Sequence, residues 1–456
     1  MNRPIRRIAL FLMVGMLVLV LGATWHQFVA ADRYRDHPDN RRAALLQAGK
    51  ERGMISTVGG RVLAYSEQDP ESFRSYNRTY PAGDAFASVV GTEASQGGLE
   101  ESYADELRSR RDLSVSDLMA AMFGEDLRPR GLQITLDADL QQRAYEILTR
   151  RRGAVAAIRP DTGEVLALVS SPGIPVTERA ADALYPLGSA FKIVTAAATL
   201  DTETADIGSL FEDRAVWQVP GASLIVVNPG DVPCGDSSQV SLLTSFVLSC
   251  NLAFAELALE MGSDIMDSYA AGFGFGTELL FPLQTPAPSF GGERSSDPGL
   301  LASAGTGRLA LSSPLHMASV AAVVANGGLR AAPFLVSSWT DADGEVIERP
   351  ENPPASRVIT AETAASVARM MERVITEGTG QEATVAGHRV AGKTGTGQDA
   401  DGRNHAWFVG FAPVDSPTIA IAVMIEPGGE FGESVTGGTA AAPVASELLS
   451  YWLQRS

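Results

Sequence analysis

The first apolar stretch of the chain, Ile8 to Ala31, contains no Asp, Glu, Lys or Arg. Its length suffices for a helix to cross a bilayer. Arg3, Arg6 and Arg7 precede it and Trp25 lies towards its far end. Basic residues stay on the cytoplasmic side, so Asp32 onward is expected outside. A cleaved signal peptide ending at Val29-Ala30-Ala31 is the rival reading, but the run is long for one.

Beyond the anchor the pattern shortens. Ala43 to Arg52 reads as a short helix. Arg52-Gly53-Met54-Ile55 and Gly60-Arg61-Val62-Leu63-Ala64 read as strand, turn, strand. Ala85 to Gly91 reads as a further strand, and Gly98-Leu99-Glu100-Glu101-Ser102-Tyr103 opens a helix with an acidic first turn. Gly97-Gly98 and Gly124 to Pro129 read as loops. No chemical constellation gathers in residues 32–130, which read as a non-catalytic pedestal. A second domain is expected over residues 131–456.

In that second region Leu132 to Leu136 alternates as a strand. Asp137 then caps a helix, Ala138 to Arg150, with Leu140, Ala144, Ile147 and Leu148 on one face. Gly153 to Arg159 and Glu164 to Ser170 form two apolar strands around a Pro160-Asp161-Thr162-Gly163 turn. Ser241 to Gly328 is mostly helical. His388 to Gly395, Ala406 to Phe411 and Thr418 to Ile425 read as strands, the last buried on both faces. Thr439 to Gln454 closes as a helix. The pattern predicts an α+β domain, an antiparallel sheet flanked by helices with a helical subdomain.

Composition narrows the function. The chain has 456 residues, is 45% apolar and carries a net charge of −18. Such acidity argues against a nucleic-acid partner. There are 5 histidines, with no HExxH or Cys/His cluster, so a protein-built metal site is not expected. No Gly-x-Ser-x-Gly elbow marks a Ser-His-Asp hydrolase.

The candidate chemistry lies at Tyr185-Pro186-Leu187-Gly188-Ser189-Ala190-Phe191-Lys192. Gly188 breaks the chain before a helical run, and Ser189 and Lys192 share one face of it. A neutral amine there can take the serine proton, and the helix dipole favours the alkoxide. Ser-x-x-Lys alone is a weak signal. Ser249-Cys250-Asn251 and Lys393-Thr394-Gly395-Thr396 follow in order, and the set of three is far more specific. Gly387 to Thr394 also fits a phosphate-loop pattern. Turn residues follow it where a helix is required, which argues against nucleotide binding. Cys234 and Cys250 lie in an exported, disulfide-permissive context. They read either as a bridge, bracing Ser249-Cys250-Asn251, or as two separate small core residues.

These motifs resemble the class B penicillin-binding proteins, and among them the actinobacterial penicillin-binding protein A type. Arg52-Gly53-x-Ile55, Gly98-Leu99-Glu100-x-x-Tyr103, Gly272-Phe273-Gly274-Phe275-Gly276, Ala325-Asn326-Gly327-Gly328 and His405-Ala406-Trp407-Phe408 carry the likeness along the chain. Leu187 and Ala190 depart from the family's usual Pro and Thr, and the segment 172–184 is short. The resemblance implies a penicillin-binding/β-lactamase-like transpeptidase domain at 131–456, a dimerisation-like pedestal at 32–130, an anchor at 8–31 and a cytoplasmic tail at 1–7. It implies a peptidoglycan D,D-transpeptidase that uses no cofactor and is acylated by β-lactam antibiotics. The donor would be a stem peptide ending in D-Ala-D-Ala and the acceptor an amine of a neighbouring strand. Ser189 would be the nucleophile and Lys192 its base. Ser249 would relay a proton, and Asn251 would hold Lys192 and the substrate backbone. Lys393 would lower the proton affinity of Lys192 and, with Thr394 and Thr396, bind the terminal carboxylate. Gly395 would let substrate backbone lie against its strand. The oxyanion would sit between the N–H groups of Ser189 and Thr396. Tyr185, Trp407 and Phe408 read as packing. A SEDS-type membrane glycosyltransferase is the implied partner. The alternatives are a D,D-carboxypeptidase or β-lactam hydrolase on the same fold, and a non-enzymatic β-lactam sensor or scaffold.

Overall fold

In a computed structural model of the chain, the residues described are 3–26, 50–71, 75–92, 97–108, 122, 128–171, 179–293, 295–428, 430, 432 and 434–455. The helix expected over 43–52, the last residues of the anchor and most of the 124–129 loop lie largely outside them. The chain divides into two compact units, Met1–Glu51 with Ser66–Arg78, and Arg52–Tyr65 with Thr79–Ser456.

In the first unit the helix Arg3–Thr24 runs for 22 residues and is long and apolar enough to cross a membrane. Phe11, Met16 and Leu19 point outward on different sides of it, the all-round apolar pattern of a span rather than of an amphipathic surface helix.

The second unit is built on a five-stranded antiparallel sheet. From its edge the strands run Ala391–Gln398, Asn404–Ala412, Ile419–Ile425, Gly153–Ile158 and Val165–Ser171. Ile419–Ile425 is central and buried throughout, as its unbroken apolar run predicts. Side chains alternate across a strand, and this strand feeds two separate cores. Ala420, Ala422 and Met424 pack on the helix Pro314–Ala325, in a core that also takes in the helix Lys192–Asp201. Ile419, Ile421, Val423 and Ile425 pack with Ala138–Leu148 and Ala442–Leu453. Asp137 accepts from Leu140 N at 2.8 Å and so caps the first of those helices.

The strand expected at Ala85–Gly91 is instead a helix, Asp84–Val90, set between Gly83 and Gly91. The run Ala-Phe-Ala-Ser-Val-Val does not alternate. Curled into a helix it buries Ala85, Phe86, Ser88, Val89 and Val90, and Gln141 Nε2 donates to Ala85 O at 2.8 Å. Gly131–Ile134 forms a strand, but it pairs parallel with Ile55–Thr57 and antiparallel with Val336–Thr340. The helix Ala361–Glu377 was not anticipated, although Ala364, Val367, Met371, Val374 and Ile375 bury one face at helical spacing. It lies behind the edge strand Ala391–Gln398.

Candidate active site

The nucleophile turn is a 3-10 segment, Gly188–Phe191, running into the helix Lys192–Asp201. Gly188 has φ 54°, the left-handed region open to glycine at little cost. A Cβ there would lie 2.3 Å from Thr396 O, so the turn presses directly on the edge strand. Trp407 Nε1 donates to Pro186 O at 2.7 Å. Leu187 N donates to Ala310 O at 2.9 Å, a bond that the family's usual proline could not make. Tyr185 and Trp407 are buried and serve this packing, while Phe408 is buried in the core on the other face of the sheet.

Lys192 is fully buried and its Nζ is the meeting point of the site. It lies 3.0 Å from Ser189 Oγ, 2.8 Å from Ser249 O and 2.7 Å from Asn251 Oδ1. A neutral amine has two N–H groups and one lone pair. The two carbonyl oxygens take the N–H groups, and the lone pair is left facing the Ser189 hydroxyl.

Ser249 owes its position to a helix ending. The helix Leu242–Val247 closes with Ser249 N on Phe246 O (3.2 Å) and Cys250 N on Ser245 O (2.8 Å). That is a Schellman ending, whose left-handed residue is usually glycine. Here it is Ser249, at φ 64°. Its hydroxyl accepts from Lys393 Nζ at 2.8 Å, and Lys393 also donates to Thr394 O at 3.0 Å. Cys234 and Cys250 are joined as a disulfide with Cα atoms 6.1 Å apart, which ties the residue after Ser249 to the neighbouring loop.

Both lysines are desolvated. Burial pushes Lys192 well below the ordinary lysine range, and the charge of Lys393 pushes it in the same direction. Burial alone lowers Lys393 to about 7. The rings of Phe254 and Phe246 lie 5.4 Å and 5.6 Å from the two Nζ atoms. Such contacts favour the charged form by ~1–2 kcal/mol, too little to offset full burial.

The edge strand supplies the last wall. Ala391–Gln398 pairs with Asn404–Ala412 on one side only. The Thr394 hydroxyl is 2.5 Å from that of Thr379, and Gly437 N donates to Thr396 Oγ1 at 3.2 Å. Gly395 has a further cause beyond room for substrate. A Cβ there would lie 2.5 Å from Leu187 O and 2.8 Å from Ala190 N, so the missing side chain admits the nucleophile turn. The phosphate-loop match is a strand from Ala391 onward, with no amides converging on a phosphate. Among the described residues no three of His, Cys, Asp and Glu gather to hold a metal ion.

The structure thus brings Ser189, Lys192, Ser249, Asn251 and Lys393 into one hydrogen-bonded chain, with Thr394, Gly395 and Thr396 beside it. Sequence reasoning missed Asn228 and Thr379, which touch these residues from loops, and Gly437, which does so from the first residue of the helical segment Gly437–Ala441. Gly378-Thr379-Gly380, just before the edge strand, was the one local signal for any of them.

A model of the penicillin-binding protein transpeptidase domain matches residues 153–450, and one of the penicillin-binding protein A dimerisation domain matches residues 52–133. The chain is 34% identical to the peptidoglycan D,D-transpeptidase PbpA of Mycolicibacterium smegmatis over 99% of each chain. It is 33% identical to PbpA of Mycobacterium tuberculosis over 100% of this chain and 99% of the other. The penicillin G acyl-enzyme complex of penicillin-binding protein A from M. tuberculosis superposes with a TM-score of 0.79 at 31% identity, covering 89% of this chain and 100% of that one. The D,D-transpeptidase domain of a peptidoglycan glycosyltransferase from Eggerthella lenta gives 0.77 at 31% identity, covering 90% and 99%. By the family model and these full-length relatives, the chain belongs to the class B penicillin-binding protein transpeptidases.

Proposed function

We propose that this chain is a peptidoglycan D,D-transpeptidase working through an acyl-enzyme on Ser189. One observation carries the reading: the Lys192 amine, stripped of water, spends its N–H groups on Ser249 O and Asn251 Oδ1 and turns its remaining site to Ser189 Oγ, 3.0 Å away. The Ser189 proton passes to Lys192 as Oγ attacks the carbonyl of the penultimate D-Ala. The N–H groups of Ser189 and Thr396 receive the developing oxyanion. Terminal D-Ala leaves as its amine takes a proton relayed through Ser249, which Lys393 holds at 2.8 Å. Lys393, Thr394 and Thr396 bind the carboxylate of the leaving residue. An acceptor amine from a neighbouring stem peptide then attacks the ester, gives up its proton along the same relay and restores Ser189. A β-lactam ring enters as the donor does, and its ester persists.

The same reading assigns residues 1–7 to the cytoplasm, 8–31 to a single membrane pass, 32–130 to a pedestal and 131–456 to an extracytoplasmic transpeptidase domain. A SEDS-type glycosyltransferase would supply the glycan strands whose peptides are joined. Intact-protein mass spectrometry after penicillin treatment tests the nucleophile: one adduct is expected, and none in Ser189→Ala. Incubation of the enzyme with stem peptide and an amine acceptor tests the fate of the ester. A cross-linked product supports transpeptidation, and hydrolysis alone would assign a carboxypeptidase.

A further inference from the structure

An asparagine before a helix ordinarily spends its side-chain oxygen on the helix's first free N–H groups. Asn251 precedes the helix Leu252–Gly272 but makes no such bond. Its Oδ1 accepts from Lys192 Nζ at 2.7 Å instead. Another residue anchors the start of the helix. Asn228 Oδ1 accepts from Asn251 N at 2.7 Å and from Leu252 N at 3.2 Å. Asn228 is only 4% exposed, and its remaining bonds fix it in place. Its Nδ2 donates to Arg214 O at 2.9 Å and its backbone N to Ala215 O at 3.0 Å. It stands at the foot of the hairpin made by Val216–Gln218 and Ile225–Val227. The same hairpin steadies the other end of Asn251, whose Nδ2 donates to Val227 O at 2.7 Å.

We propose that Asn228 is a positioning residue for acylation: by accepting from Asn251 N and Leu252 N it fixes the backbone that carries Asn251, and so sets where the Asn251 side-chain carbonyl holds the Lys192 amine towards Ser189. Without that anchor, Asn251 N and Leu252 N lose their acceptor and the start of the helix is free to turn. Turning there would leave one Lys192 N–H without its acceptor and release the amine from its alignment. The inference rests on Ser189 being the nucleophile and Lys192 its base.

The charged groups around this arrangement are few. Lys393 faces Lys192 from the edge strand. On the hairpin side Arg214 is engaged by Glu256 at 2.6 Å and Glu212 at 3.5 Å. Asp213 accepts from the backbone N–H groups of Cys234 and Gly235. A new charge at position 228 would therefore be felt by Lys192 against a largely neutralised background.

The test is the acylation rate of the full chain in detergent by a fluorescent penicillin, measured across pH for wild type, Asn228→Ala and Asn228→Asp. The adduct is located by mass spectrometry in each. Asn228→Ala is expected to slow acylation about 10- to 100-fold with the adduct still on Ser189. Asn228→Asp keeps an acceptor for both N–H groups, gives up the Nδ2 donor to Arg214 O and adds a negative charge. It is expected to recover most of the rate at high pH while its acid limb moves to higher pH, because a nearby anion favours protonated Lys192. In an Asn251→Ala background, Asn228→Ala should add little further loss, since both act on one contact. Unchanged rates and an unmoved acid limb in folded variants, or fully additive losses, would overturn the proposal. If Asn228→Ala does not fold, the acid limb of Asn228→Asp decides alone. An adduct away from Ser189 in the wild type would instead sink the acyl-enzyme reading itself, and the same spectra separate the two failures.

Discussion

Ser249 offers its hydroxyl to Lys393 Nζ, 2.8 Å away, from a backbone conformation that suits glycine better than serine. A left-handed non-glycine residue costs roughly 1–2 kcal/mol. The site keeps that cost in exchange for a hydroxyl beside both lysines. Ser249→Gly should raise thermal stability, by about 1 kcal/mol after the lost hydrogen bond is set against the relieved strain. It should slow acylation by two orders of magnitude or more, a loss on the scale of removing a positioned proton carrier. Calorimetry and penicillin acylation kinetics on the same preparation check both halves. A destabilised Ser249→Gly would show that the lost hydrogen bond outweighs the relieved strain.

Lys393 gives a signed pH dependence. Its amine ordinarily titrates near 10.5 and here near about 7. Between those values the unfolded chain holds a proton that the folded chain does not, so the contribution of Lys393 to stability grows as pH rises from about 7 to about 10.5. Below about 7 both states are protonated and the penalty is constant. Lys393→Met is therefore expected to be more stable than wild type at neutral pH, by on the order of 4 kcal/mol at most. The difference should shrink steadily towards pH 10. Urea unfolding at a series of pH values measures it, and a difference independent of pH would contradict the assignment.

Gly188 is confined from outside. Since its Cβ would meet Thr396 O at 2.3 Å, Gly188→Ala must push the nucleophile turn off the edge strand. A displacement of about 1 Å at the reacting atoms can cost 100-fold in rate. Gly188→Ala should fold and lose acylation by at least that factor, and stopped-flow acylation would show it.

The disulfide bears on stability. Cys234 and Cys250 are 16 residues apart, and a loop of that size is worth ~3 kcal/mol in the chain-entropy model. Replacing both cysteines by serine should lower stability by about that amount. Peptide mapping under non-reducing conditions should recover the bridged pair from wild type.

Much of this site could be read from the chain because its main spacing is local. Ser189 and Lys192 are three residues apart, so a single helical turn joins them. Ile419 to Ile425 betrayed a doubly covered strand by lacking any polar position. Asn228 and Thr379 were hidden for the opposite reason. They reach the site from loops, and no periodicity records which carbonyl or N–H an amide or hydroxyl will meet across the fold. Ser249 could be read as a relay or as a polar residue at a helix end, but nothing in Ser-Cys-Asn says that the serine will take a glycine's conformation there. The helix Asp84–Val90 was misread because a short apolar run between glycines satisfies either geometry, and burial of Phe86 and Val89 decided it.

The central strand also sorts what mutation can do. A methyl added at Ala420 or Ala422 would press on the helix Pro314–Ala325, in the core that also takes in the helix Lys192–Asp201. One removed from Ile421 or Val423 would leave a void against Ala442–Leu453, on the far side of the sheet. Neighbouring codons in one seven-residue segment thus lead to different phenotypes. Even-numbered positions act on the core that also holds the helix of Lys192, and odd-numbered ones on the core across the sheet.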